Sequence, residues 1–194
     1  VWQGFEYKGE RYGIPLDIHP LTLYINKKAM ADAGITSFPK TGEEFEAAVK
    51  AMNQGNVKGY VQPVLWPGFL IGQALLFQNG GRLVDETGEK VAFNSDAGKK
   101  AIQQLVDWNK AEYSTPQVAI DQQANAFKAG TNAMTMDGIW MIQGFKDAGI
   151  DFEAGPIPQF GPEYATWAGS HQLTIPAHKA GADPCKVQAA GELI

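Results

Sequence analysis

The stretch DQQANAFKAGTNAMTMDGIWMIQGFKDAG, residues 121–149, spells three elements in a row. DQQANAFKAG reads as a short helix stopped by Gly130, because glycine tolerates the left-handed conformation that ends helices. TNAMTM reads as a strand. GIWMIQGFKDAG reads as a second helix, with Asp137 placed to cap it. DFEAGPIP then returns as a strand. Helix, strand, helix and strand in such short order predict helices layered on a sheet, the α/β class.

The same alternation extends upstream. ERYGIPLD and LTLYIN read as extended segments broken at Pro20. KKAMADAG reads as a helix ended by Gly34. Thr41 and Glu44 form a T-x-x-E capping box, and the helix they open presents Phe45, Ala48, Val49 and Met52 at core spacing. GYVQPVLW reads as a strand leading into a helix with Pro67 at its first position. Arg82 to Val84 and Val91 to Phe93 read as a hairpin joined through Thr87-Gly88. Ser95 caps a long helix, and Pro116 follows its end.

Composition narrows the function. Hydrophobic residues are 44% and charged residues 19%, which is globular rather than disordered. Sixteen basic against twenty-one acidic side chains leave a net charge of −5, and no Lys/Arg run exceeds two. A phosphate-neutralising stripe is therefore missing, and no nucleic-acid partner is expected. Cys185 is the only cysteine, so no internal disulfide is expected. No apolar run is long enough to cross a membrane. No G-x-S-x-G, H-E-x-x-H, Walker A or G-x-G-x-x-G occurs. The three histidines, His19, His171 and His178, lack helical i, i+4 partners, and no metal site is expected. No catalytic residue and no cofactor are expected either. The ends read as the middle of a longer protein, so the chain is expected to be an internal fragment.

Five tryptophans remain to be explained. At about 100° per residue, Trp108 falls on the apolar stripe of its helix and is expected in the core. Trp140 falls opposite Met141, Ile142, Phe145 and Ala148, beside Gln143, Gly144 and Asp147. It either packs under a neighbouring loop or lines a cleft at the helix N-terminus. Trp66, at a strand-to-helix junction, and Trp167, in the loop YATWAGSH, occupy the strand-end positions where α/β proteins gather ligands. An indole covering the C–H face of a sugar ring removes about 80 Å² of apolar area from water, worth about 2 kcal/mol.

The order of these segments resembles the extracellular solute-binding proteins of ABC transporters, in the carbohydrate-binding group that includes maltose-binding protein. YGIPLDIHPLTLYINKKAMADAG looks like the family's crossover followed by its Y-N-K strand and helix. FPKTGEEF is similar to its P-x-T-x-x-E helix start, and GGRLVDETGEKVAFNSDAGKKAI to its G-x-x-L hairpin. AFKAGTNAMTMDGIW matches F-x-x-G-x-x-A-M-x-x-x-G-x-W, and WAGSHQLTIP its second crossover.

The resemblance implies a type II, periplasmic-binding-protein-like fold of two lobes that closes on a sugar. Residues 1–18 would end lobe 1, 19–168 form most of lobe 2, and 169–194 return toward lobe 1. It implies carbohydrate as ligand and ABC permease subunits as partners. The location would be periplasmic or extracellular and membrane-associated, with any signal or lipid anchor in a missing N-terminal part. Trp140 matches the family's sugar-stacking tryptophan. His19 falls at a polar sugar contact where maltose-binding protein has glutamate, and Gly169, Ser170 and His171 fall at the second crossover. With Asp17, Trp66, Asp137 and Trp167, these are the candidate ligand-binding residues; Tyr24 is expected to be structural. Two rivals stay open: a receptor for a polyamine or amino acid, and a glycoside-acting enzyme using Asp17 and Asp137 as its carboxylates.

Overall fold

The computed structural model describes residues 2–111, 113, 119–176 and 183–193. His178 and Pro116 lie outside the described residues. In chain order the elements are β1 (Glu6–Tyr7), β2 (Glu10–Arg11), β3 (Ile14–Pro15), β4 (His19–Asn26), α1 (Lys27–Asp32), α2 (Gly42–Met52), β5 (Lys58–Tyr60) and α3 (Gly68–Gln78). They continue with α4 (Asp96–Lys110), α5 (Gln122–Lys128), β6 (Asn132–Gly138), α6 (Met141–Asp147), β7 (Phe152–Pro156), β8 (Ala168–Gly169), β9 (Gln172–Leu173) and α7 (Pro184–Leu193). Two compact units result: residues 20–167, and residues 1–19 with 168–194. Among the described residues no helix is long and apolar enough to cross a membrane.

In the larger unit the sheet runs in the order β5-β6-β4-β7. β6 lies antiparallel to β4 and parallel to β5, and β7 lies antiparallel to β4 on the other side. All seven residues of β6 are buried, as a strand covered on both faces requires. One core cluster gathers Leu23, Phe45, Val49, Tyr60, Ile71, Trp108 and Met134. A second holds Tyr24, Ala124, Phe127 and Phe145. Tyr24 donates its hydroxyl to the Gly138 carbonyl at 2.8 Å, a structural role.

Several sequence expectations hold in detail. Thr41 and Glu44 form the reciprocal capping box of α2, and Phe45, Ala48, Val49 and Met52 are its buried residues. Ser95 accepts from the Gly98 amide at the start of α4. Trp108 is 1% exposed. Gly34 and Gly130 take positive φ just past α1 and α5, where a Cβ would be strained.

Others are corrected. Pro20 does not break the extended segment but lies inside β4. The ladder to β6 begins only at Leu21, so the missing proline N–H forfeits no bond. GYVQPVLW is strand only through Tyr60, because the Gln62 amide turns away to the Tyr113 carbonyl. Pro67 is the N-cap of α3 rather than its first residue. The hairpin reduces to one bridge, Val84 to Val91. Between those two residues, Asp85 Oδ1 accepts from the amides of Thr87 and Glu89 and from the Thr87 hydroxyl, folding the loop on a side chain instead of a ladder. Asp137 is not a helix cap. It belongs to β6, and α6 begins at Met141 with Trp140 as an N-cap that makes no side-chain capping bond.

Phe45 joins α2 to the rest of the core, with its ring centroid 5.1 Å from Tyr60, 5.8 Å from Trp108 and 5.4 Å from Phe160. Phe45→Ala is expected to cost about 3–5 kcal/mol, read as a lower urea midpoint with an unchanged slope.

Candidate functional site

The larger unit carries an aromatic surface built by two helix starts. Trp66 precedes α3, Trp140 precedes α6, and their rings lie 5.9 Å apart with planes 32° from parallel. Phe69 extends the group, 5.4 Å from Trp66. The indoles keep 38% and 37% of their surface in solvent. That is too exposed for core packing and too enclosed for chance surface residues. Gly138 makes this arrangement possible, since a Cβ there would collide with the six-membered ring of Trp140. The helical phase isolated Trp140. Its partnership with Trp66 was invisible because the two residues meet only through the fold.

Beneath this surface lies Asp137, with no solvent exposure. Its Oδ1 accepts from the Gly138 amide at 2.8 Å, and its Oδ2 accepts from Gln123 Nε2 at 3.3 Å. Burial pushes its pKa up to about 6. The bonds from Gly138 and Gln123 and a weaker one from the Trp140 side chain work against that rise, while the charge of Asp121 adds to it. Burial also raises the hydroxyl pKa values of Tyr24 and Tyr60, with the Asp137 charge as the second cause.

Trp167 packs against the main core cluster, and its carbonyl accepts from the Leu21 amide at 3.0 Å.

The smaller unit holds a polar group. β3 pairs antiparallel with β9, and the Leu16 amide donates to the His171 carbonyl. This pairing carries Asp17 to His171. Asp17 Oδ1 accepts from the His171 amide at 2.8 Å, and Oδ2 lies 2.9 Å from His171 Nδ1 and 3.0 Å from His19 Nε2. The His171 amide is the chief cause that lowers the Asp17 pKa, followed by the bond to the His171 ring. Ser170 Oγ donates to the Asp17 carbonyl at 2.5 Å. Gly169, in β8, is half-buried. Asp17, His19, Ser170 and His171 therefore gather in one unit, while Trp66, Asp137, Trp140 and Trp167 belong to the other.

This architecture has clear counterparts. A cyclo/maltodextrin-binding protein complexed with maltotetraose shares it at TM-score 0.73 and 23% identity, over 88% of this chain and 45% of that one. The cyclic alpha-maltosyl-1,6-maltose binding protein from Arthrobacter globiformis does so at TM-score 0.78 and 22% identity, over 99% and 50%. The fold is that of the type II periplasmic binding proteins, of which the larger unit supplies one α/β sheet-and-helix body. Residues 2–189 match the family described as bacterial extracellular solute-binding protein, and the chain belongs to that family.

Among relatives, it is 27% identical over 185 residues to the maltooligosaccharide ABC transporter solute-binding lipoprotein of Streptococcus pneumoniae, covering 87% of this chain and 41% of that protein. It is 27% identical over 176 residues to the maltodextrin-binding protein MdxE of Bacillus subtilis, covering 83% and 40%. The chain thus spans about two fifths of the length of the curated relatives it matches.

In the unfolded chain the Asp137 carboxyl releases its proton near the ordinary 3.8, and in the folded chain near 6. Between those values the native state holds a proton that the unfolded state has given up. Stability from this group therefore falls as pH rises from about 4 to 6, by about 3 kcal/mol in total. Asp137→Asn keeps an acceptor for Gly138 and carries no titrating proton. Urea midpoints measured from pH 4 to 7 should fall less steeply in the variant than in the parent across this window.

Proposed function

We propose that the chain is part of the substrate-binding component of an ABC importer, which captures an oligosaccharide of the malto-oligosaccharide kind outside the cell for delivery to a membrane permease. The observation that carries this reading is the half-exposed pair Trp66 and Trp140. Two indoles tilted by 32° offer adjacent apolar faces suited to successive sugar rings, each stacked ring contributing about 2 kcal/mol. The relatives, named for maltooligosaccharide and maltodextrin, support the same ligand class.

Trp66 and Trp140 stack on the sugar. Asp17, His19, Ser170 and His171 are its hydroxyl partners, Gly169 contributes backbone, and Trp167 completes the set. Asp137 takes a positioning role under Trp140, because its oxygens are already engaged by Gly138 and Gln123. The protein acts without catalysis, as a receptor. In this reading the smaller unit belongs to lobe 1 and the larger unit is most of lobe 2. A lipid anchor on the whole protein, as in the pneumococcal lipoprotein, would hold the receptor at the membrane surface.

Tryptophan emission of the whole protein, titrated with malto-oligosaccharides, monosaccharides, polyamines and amino acids, tests the reading. A saturable response to the malto-oligosaccharides is expected, weakened about thirtyfold in Trp140→Ala, the equivalent of about 2 kcal/mol. A response to a polyamine or amino acid alone would overturn the sugar class. Turnover of a chromogenic glycoside would overturn the receptor assignment.

A further inference from the structure

The smaller unit brings three metal-ligating side chains to a single point. Asp17, His19 and His171 each offer one ligand atom, and these atoms all lie within 4.8 Å of one another. The carboxylate is common to both contacts, with Oδ2 3.0 Å from His19 Nε2 and 2.9 Å from His171 Nδ1. The two imidazole centroids are 4.9 Å apart, with planes 75° from parallel, so the rings meet edge to face rather than stacking. We propose that Asp17, His19 and His171 form a three-ligand site for a borderline divalent transition cation of the zinc class.

Tetrahedral zinc holds nitrogen and oxygen donors at about 2.0–2.2 Å, which sets neighbouring donors about 3.3 Å apart. From the carboxylate to either imidazole, the site therefore opens by only a few tenths of an ångström to admit the ion. The donor set selects the class of metal. Two imidazoles and one carboxylate match zinc and its neighbours. Calcium and magnesium require a shell of oxygens that these residues do not supply.

Outer contacts hold the ligands in place without the ion. Asp17 Oδ1 is tethered by the His171 amide, and the Asp17 carbonyl by Ser170 Oγ. The register of β3 and β9 fixes the two segments against each other. Hydrogen bonds of this kind, made to a ligand rather than to the ion, orient a carboxylate toward a metal. Access is open as well, since the His171 side chain is 69% exposed, which leaves a coordination position for water. Sequence spacing concealed the set, because Asp17 and His171 are 154 residues apart.

The site uses three residues that the proposed receptor also assigns to sugar hydroxyls, but it rests on their mutual geometry alone, and its test contains no sugar. The whole protein, stripped with a chelator, is titrated with cobalt(II) and followed by visible absorption; zinc is then added to displace the cobalt. Saturation at one ion per chain is expected, with loss of the cobalt bands on adding zinc. His171→Ala and His19→Ala should each lower the affinity by about a hundredfold or more. Cys185→Ser, which removes the exposed thiol, should leave it unchanged. Far-UV circular dichroism confirms that each variant is folded, and His171→Gln supplies a second, milder variant at the more exposed ligand. Absence of saturable binding would overturn the proposal. Binding that survives in both folded histidine variants, or disappears with Cys185→Ser, would do the same.

Discussion

Everything in the larger unit depends on β6 having no solvent-facing side. Seven consecutive residues, Asn132 to Gly138, are buried, so packed material must cover the strand on both faces and pair it along both edges. β4 and β5 supply the edges. Tyr60 and Trp108 serve the main core, while Phe127 and Phe145 sit in the smaller cluster with Tyr24. A strand so enclosed cannot shift by one residue without turning Thr135 and Asp137 into positions meant for methionine. Its register is therefore fixed, and the point where the chain leaves the sheet is fixed with it.

That exit point is where the aromatic surface is made. Gly138 is the last residue of β6, and its bare backbone lets the Trp140 ring lie across it. Trp140 then meets Trp66 from a different helix start. The arrangement carries an energetic burden, because Asp137 is a carboxylate without solvent contact and its proton affinity rises accordingly. A buried hydrophobe would be easier to accommodate there. Two of the carboxylate's contacts are to Gly138 and Trp140, so the burden falls on the group that supports the tryptophan. This is the pattern expected where local stability is traded for the position of one particular side chain.

What was legible in the sequence was local. The capping box at Thr41 and Glu44, the Ser95 cap and the helical phase of Trp108 involve residues within one or two turns, so spacing alone carries the information. Pro20 misled because a proline is judged by its missing donor, and whether that donor is needed depends on which strand lies opposite. The hairpin misled because Asp85 offered its loop amides a side-chain acceptor that turn statistics do not reveal. Trp66 with Trp140, and Asp17 with His19 and His171, were legible only as separate residues. Each set is joined by long-range contacts, and no periodicity connects positions so far apart.

In the proposed receptor, the indole pair and the polar group around Asp17 differ in how readily each would meet a ligand. The indole faces are already partly exposed, and covering two of them with sugar rings would contribute about 4 kcal/mol. Micromolar affinity needs about 8 kcal/mol net of the cost of association. Polar contacts would have to supply the difference in the proposed receptor, and charge-assisted hydrogen bonds to a carboxylate are the strongest of these. Asp17, however, is not idle: one oxygen holds the His171 amide and ring, and the other is shared between two imidazoles. A sugar hydroxyl approaching this carboxylate exchanges with an imidazole contact rather than adding to it, so its net gain is small. The His171 side chain is 69% exposed. In the proposed receptor, stacking on the indoles is therefore the less compromised contribution.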